Sequence, residues 1–184
     1  MKKYWHKRVT ELDRKILIYI QNNLRTAERD QIMRFITNLG DGGFVWLIIA
    51  FTLLVSQKHR RTGLAMACAI AFGSIITNAI IKNSIRRIRP FEIIEELAAL
   101  IPHPKDWSFP SGHTTSSVAC GILLLKRMSK MIGLTGMTLA ILISVSRVYL
   151  GVHYPSDIVA GAVAGVASAT VAGKVVRRAK LEEI

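Results

Sequence analysis

Apolar residues come in blocks along this chain, and basic residues punctuate them. Residues 39–56 read LGDGGFVWLIIAFTLLVS and stop at Lys58-His59-Arg60-Arg61. Residues 62–81 follow without a charge, about 20 residues that as a helix span the ~30 Å hydrocarbon core of a bilayer. A third block covers 131–146. A fourth, 156–176, is interrupted only by Asp157 at its start and Lys174 near its end. Residues 111–125 are shorter and open in polar residues. Alone they fit a buried soluble helix, but their neighbours favour a membrane reading. The pattern predicts an all-α, polytopic transmembrane helical bundle of about five spans, with residues 35–176 as the catalytic membrane domain.

Residues 1–34 differ. Val9, Leu12, Ile16, Leu17 and Ile20 fall at helical spacing, with Arg8, Glu11, Asp13, Arg14 and Lys15 among them. That predicts an amphipathic helix lying along the membrane interface, its apolar run too short to cross. Arg14, Lys15, Arg25, Glu28, Arg29 and Asp30 are too many charges for a sixth span. No long apolar region follows the basic start, so a cleavable signal peptide is not expected. Residues 177–184 form a short charged tail. Cys68 and Cys120 sit inside spans as small apolar residues, with no disulfide implied. Gly161, Gly165, Ala169 and Gly173 recur every fourth residue and predict close helix packing.

Composition sharpens this picture. Of 184 residues 51% are apolar, and 25 Lys+Arg against 12 Asp+Glu leave a net charge of +13. Mean hydropathy is nevertheless positive, +0.34. The apolar content excludes disorder, and 13 Gly with two Cys exclude collagen-like and disulfide-rich classes. The placement of charge sets an orientation. Lys58, Arg60 and Arg61, then Lys126, Arg127 and Lys130, then Arg177, Arg178 and Lys180 fall on one face, which the positive-inside rule makes cytoplasmic. The loops at 82–113 and 147–156 then share the outer face of the cytoplasmic membrane. The basic N-terminus (Lys2, Lys3, Lys7, Arg8) would also lie outside, against the rule.

Those two outer loops carry the chemistry. On one helical face, Lys82, Arg86 and Arg89 would form a basic row, either an ordinary headgroup contact or an anion site. Pro110-Ser111-Gly112-His113 opens the third span with free backbone N–H groups, which fits plain capping and anion binding alike. Arg147 is followed by His153 and Asp157. Histidine and aspartate four apart meet across a helical turn, and a carboxylate at the head of an apolar span is costly without a partner. Together these place three cations (Lys82, Arg89 and Arg147), a helix N-terminus, two histidines and an aspartate on one membrane face. Three cations with backbone donors match the oxygens of a phosphoryl group, one histidine can attack phosphorus, and the other can protonate the leaving oxygen. That chemistry needs no metal or other cofactor, and the usual metal-ligand patterns are missing.

Lys82-x6-Arg89-Pro90, Pro110-Ser111-Gly112-His113 and Ser146-Arg147-x5-His153-x3-Asp157 resemble the tripartite signature of the type 2 phosphatidic acid phosphatases, over about residues 35–176. The resemblance implies His153 as nucleophile, Asp157 as its partner and His113 as general acid. It implies that Lys82, Arg89, Ser111, Gly112 and Arg147 hold the phosphate. Family members include soluble haloperoxidases, which the predicted spans argue against, and many have six spans, unlike this chain. Length and short linkers resemble the small bacterial members acting on isoprenyl diphosphates, phosphatidylglycerol phosphate or phosphatidic acid. The expected partners are a membrane lipid substrate and the bilayer, with no nucleic acid. A small transporter would want ionisable groups at the bilayer middle. A non-catalytic binder of anionic lipid would have no use for His113, His153 and Asp157 together.

Overall fold

The apolar blocks fold as helices. The computed structural model describes residues 2–179, with side chains from Glu11 onward, and contains no strand among them. In chain order the helices are α1 (Lys2–Asn23), α2 (Ala27–Leu39), α3 (Phe44–Val55), α4 (Arg60–Ser74), α5 (Lys82–Ile85), α6 (Pro90–Ile93), α7 (Gly112–Arg127), α8 (Lys130–Tyr149) and α9 (Pro155–Arg178). Lys180 and the side chains of Lys2, Lys3, Lys7, Arg8 and Val9 lie outside the described residues, as does most of the 177–184 tail.

Three runs are long and apolar enough to cross a membrane: Arg60–Ile93, Lys130–Tyr149 and Pro155–Arg178. The first apolar block is not the straight span expected over residues 39–56. α3 has 12 residues, too few for a ~30 Å core. It joins α2 across a 44° bend, and the bent pair makes a fourth candidate. Gly42 and Gly43, at φ 59° and 76°, supply the left-handed backbone that this corner needs. The 34/35 boundary drawn from the sequence falls inside α2. The fifth block, α7, has only 16 residues and is central, packed against α3, α4, α8 and α9. Its Thr114, Thr115 and Ser117 are therefore covered by protein rather than lipid.

Small side chains let these helices approach. Ala65, Met66 and Ala69 of α4, Ala119 and Cys120 of α7, Ala140 of α8, and Ala169 and Ala172 of α9 share one core with Trp46 of α3. The Trp46 indole donates to Ser117 at 2.8 Å, satisfying a polar group where no water reaches. A Cβ on Gly161 would stand 2.7 Å from the Ser111 carbonyl, and one on Gly165 would stand 2.8 Å from that of Thr115. The small-residue ridge is thus the seam between α9 and α7. Both cysteines are free.

α1 is amphipathic, but its apolar face is covered by protein. Ile16, Leu17 and Ile20 pack against Ile94, Leu97, Val148 and Tyr154, while Leu12 and Tyr19 stay exposed. At one end of the bundle, Arg127 donates to the carbonyls of Arg61 and Gly173, drawing the basic loops together. The opposite end gathers the Gly40–Gly43 corner, the end of α8 and the starts of α7 and α9.

Candidate active site

Lys82 reaches this end through a widened helix. α4 runs into π-type turns over Ile75–Ile81, which shift the following side chains around the axis, and Lys82 points inward, almost wholly buried. The chain then breaks. Arg86 adopts a left-handed conformation (φ 51°), and Arg89 is extended, as a residue before proline must be. The single helical row of Lys82, Arg86 and Arg89 expected from the sequence does not form. Arg86 is exposed and donates to the Asn83 carbonyl at 3.0 Å. Lys82 and Arg89 meet instead on Asp106, whose carboxylate bonds the Lys82 ammonium and, at 2.6 Å, the Arg89 guanidinium. Arg89 is pinned further by the Asp106 carbonyl at 2.8 Å and the Val152 carbonyl at 2.7 Å. Although partial burial works the other way, the hydrogen bonds and charges of Lys82 and Arg89 hold the Asp106 carboxyl at about 2.

Ser111 caps α7. Its hydroxyl accepts from the Thr114 N–H at 3.4 Å and from the Thr114 hydroxyl at 3.1 Å. It is buried behind the cavity, whereas Gly112 and His113 line it. His113 Nε2 lies 2.8 Å from an Asp41 carboxylate oxygen at the α2–α3 corner, a partner the sequence reading had not supplied. Gly40 leaves room for the ring, since a Cβ there would come within 2.9 Å of His113 Cδ2.

α8 delivers Arg147, buried, with one guanidinium nitrogen donating to Thr37 at 2.6 Å. Its Nε is buried with no partner among the described residues. No carboxylate among them lies within ion-pair distance of Arg147, so its charge is unspent. Gly151, at φ 76°, then turns the chain back to His153. Asp157, at the third position of α9, accepts from the Tyr154 N–H at 2.9 Å in a capping box and from the Ser108 hydroxyl. The same carboxylate lies 3.3 Å from His153 Nδ1, and its other oxygen accepts from Arg87 at 2.6 Å.

These neighbours assign the imidazole. Asp157 on Nδ1 and an Arg89 N–H 3.4 Å from Nε2 put the proton on Nδ1 and leave Nε2 unprotonated, its lone pair in a long contact with Arg89. Burial pushes the His153 pKa well down, with Arg89 and Arg147 adding to the fall and Asp157 opposing it. Lys82, Arg89, Arg147, His113, His153 and Gly112 line one cavity of about 250 Å³. Ser111 and Asp157 stand directly behind it. The eight residues to which the resemblance gives a role therefore meet at one end of the bundle, and Arg86 does not join them. Asp41, Asp106, Ser108 and Thr37 join them without having been foreseen. Asp41 did leave a trace, as a carboxylate at the head of an apolar block.

The PAP2 superfamily is matched over residues 62–180. The chain belongs to that superfamily. An undecaprenyl-diphosphatase of Sulfolobus acidocaldarius is 30% identical over 145 residues, covering 79% of this chain and 69% of the relative. Phosphatidylglycerophosphatase B of Bacillus subtilis is 30% identical over 150 residues, covering 75% and 70%. The crystal structure of a transmembrane PAP2-type phosphatidylglycerolphosphate phosphatase from Bacillus subtilis superposes with a TM-score of 0.77 at 26% identity, over 96% of this chain and 90% of the other. As a PAP2 protein the chain is a membrane-embedded helical hydrolase of phosphate esters, a lipid phosphatase. The cations and histidines that line the cavity, Lys82, Arg89, Arg147, His113 and His153, all lie within the family match, while Asp41 at the corner precedes it.

Proposed function

We propose that this PAP2 protein removes phosphate from a lipid monophosphate or diphosphate through a phosphohistidine on His153, with no metal. The observation that carries the reading is that His153, with Nε2 unprotonated and 3.4 Å from Arg89, shares one cavity wall with Lys82, Arg89 and Arg147. Lys82 and Arg89 share a single carboxylate, Asp106, and Arg147 has none within ion-pair distance among the described residues and an unpartnered Nε, so the buried cations keep an excess of positive charge that an anion between them would offset. Nε2 attacks phosphorus and the bond to the leaving oxygen breaks. Protonated His113 gives that oxygen its proton, so the lipid leaves as an alcohol or as its monophosphate. A water then attacks the phosphohistidine, His113 takes back a proton, and inorganic phosphate departs. Asp157 holds the tautomer throughout and offsets the positive charge that develops on the ring. Among the described residues no three His, Cys, Asp or Glu side chains are grouped to hold a metal ion.

The names of the two relatives support undecaprenyl diphosphate and phosphatidylglycerol phosphate as substrates, with phosphatidic acid third by resemblance. The site is proposed to face the outer side of the cell membrane, because the cavity lies at the end opposite the basic loops that Arg127 ties together. The test is phosphate release by the purified protein in detergent, on those three lipids, for parent and His153→Ala, with and without excess chelator. Release is expected from the parent in chelator and at least several hundred-fold less from the variant. Release that survives His153→Ala, or that needs added magnesium, overturns the mechanism.

A further inference from the structure

Arg87 and Asp13 have no part in the chemistry above. Arg87 does not line the cavity, and Asp13 belongs to α1, nearly fifty residues before the start of the PAP2 match at residue 62. Yet Asp13 is only 3% exposed on an otherwise amphipathic helix, and a buried carboxylate needs partners. It has three contacts. One oxygen accepts from the Ser156 N–H at 2.9 Å, and the other takes the Ser156 hydroxyl and, at 2.8 Å, an Arg87 guanidinium nitrogen. The second terminal nitrogen of Arg87 donates to the Ser156 hydroxyl at 2.7 Å and to Asp157 at 2.6 Å. The Tyr154 ring lies under the guanidinium, 3.8 Å from its carbon, and fixes the fork from its face. One planar cation thus bridges two buried carboxylates, a geometry that lysine cannot reproduce.

We propose that Arg87 and Asp13 are positioning residues for the nucleophile, joined in the order Asp13, Arg87, Asp157, His153. This rests on the assignment of His153 as nucleophile. A guanidinium on Asp157 fixes the carboxylate plane, and with it the imidazole, but also draws off the negative charge that steadies the ring during attack. Asp13 returns that charge and holds the fork in place. Leu17, one turn after Asp13 and buried against Ile94, Leu97, Val148 and Tyr154, anchors the helix that brings Asp13 there. α1 is on this account a working part of the active site.

The experiment is steady-state phosphate release by the full chain in detergent, with thermal unfolding of each variant alongside. Arg87→Gln should lower kcat by about tenfold to a hundredfold, the usual effect of removing a group that orients a reacting side chain, with KM within about twofold. Asp13→Asn should lower kcat about three- to tenfold. The double variant should be no slower than Arg87→Gln alone, because Asp13 acts only through Arg87. Arg87→Lys, which keeps the charge but spans only one of the two carboxylates, should fold and fall between Arg87→Gln and the parent. Losses that multiply in the double variant, losses in KM, or parental kcat in Arg87→Gln overturn the proposal. If Arg87→Gln fails to fold, parental kcat in Arg87→Lys overturns it equally. An inactive His153→Ala beside a fully active Arg87→Gln sinks the clamp alone. An active His153→Ala sinks the nucleophile assignment beneath it.

Discussion

Replacing Asp157 by asparagine exchanges one oxygen for an NH2 group, and the neighbours of both oxygens are donors. One oxygen accepts from Arg87 at 2.6 Å; the other accepts from Ser108, from the Tyr154 N–H at 2.9 Å and from His153 Nδ1 at 3.3 Å. If the new NH2 faces Arg87, a charge-assisted hydrogen bond worth about 1.5–3 kcal/mol is lost and two donors oppose each other. At about 1.4 kcal/mol per decade that is roughly a 10- to 150-fold effect. If it faces the other way, the Ser108 hydroxyl can rotate, but the Tyr154 N–H cannot. His153 must then present a lone pair at Nδ1, which moves its proton to Nε2 and blocks the attacking atom. Neither orientation keeps the site intact, so Asp157→Asn is expected to lower kcat by at least about tenfold and by up to about 10⁴-fold. KM should change little, because Asp157 stands behind the cavity and does not line it. Steady-state phosphate release in detergent measures both. A kcat within tenfold of the parent, or a loss confined to KM, would refute the donor-counting argument.

Two further outcomes follow from position and charge. On the proposed mechanism His153 must be neutral to attack, and burial depresses its pKa below the ordinary ~6.5, so the neutral form persists as pH falls through the usual histidine range. In 15N-histidine NMR, the resonances missing from His153→Ala should not titrate between about pH 6 and 8, and a midpoint near 6.5 would contradict this. For the orientation, single cysteines are placed by Lys105→Cys or Lys58→Cys in a Cys68→Ser, Cys120→Ser background. In whole cells, a thiol reagent that cannot cross the membrane should label position 105 and spare 58; labelling of 58 alone inverts the topology.

Much of the site was legible in the chain because its chemistry is local. His153 and Asp157 are one helical turn apart, and Ser111-Gly112-His113 is a helix start, so spacing alone places them. What spacing could not show were partners from distant segments. Asp106 lies in an aperiodic loop, and nothing in its neighbourhood announces that it will pair Lys82 with Arg89. Thr37 meets Arg147 from more than a hundred residues away. The straight first span failed for a different reason. Residues 39–56 are apolar enough, but the glycines at 42 and 43 permit a corner, and burial of Trp46 and Ala50 against α4 and α7 sets the direction of α3. Asp13 sits in register with Leu17 and Ile20 on the apolar face of α1. A carboxylate on that stripe signals a buried partner, and the interfacial reading of the helix had passed over it.

The close contact between Gly161 and the Ser111 carbonyl joins the helix starts that carry His153 and His113, the proposed nucleophile and acid. Ser111 N–H also donates to the Asp157 carbonyl at 3.1 Å, and the Thr115 hydroxyl donates to the Gly161 carbonyl at 3.2 Å. The starts of α7 and α9 are therefore laced by one backbone–backbone bond and one hydroxyl bond, and the separation of His113 from His153 is set by this close seam. Changes in the surrounding loops can alter the cavity around a headgroup, but on the proposed mechanism the spacing between attack and protonation cannot be retuned that way. Adaptation to new substrates in such a scaffold has to happen around the seam, at the Gly40–Gly43 corner and in the 95–108 loop, while the seam itself stays fixed.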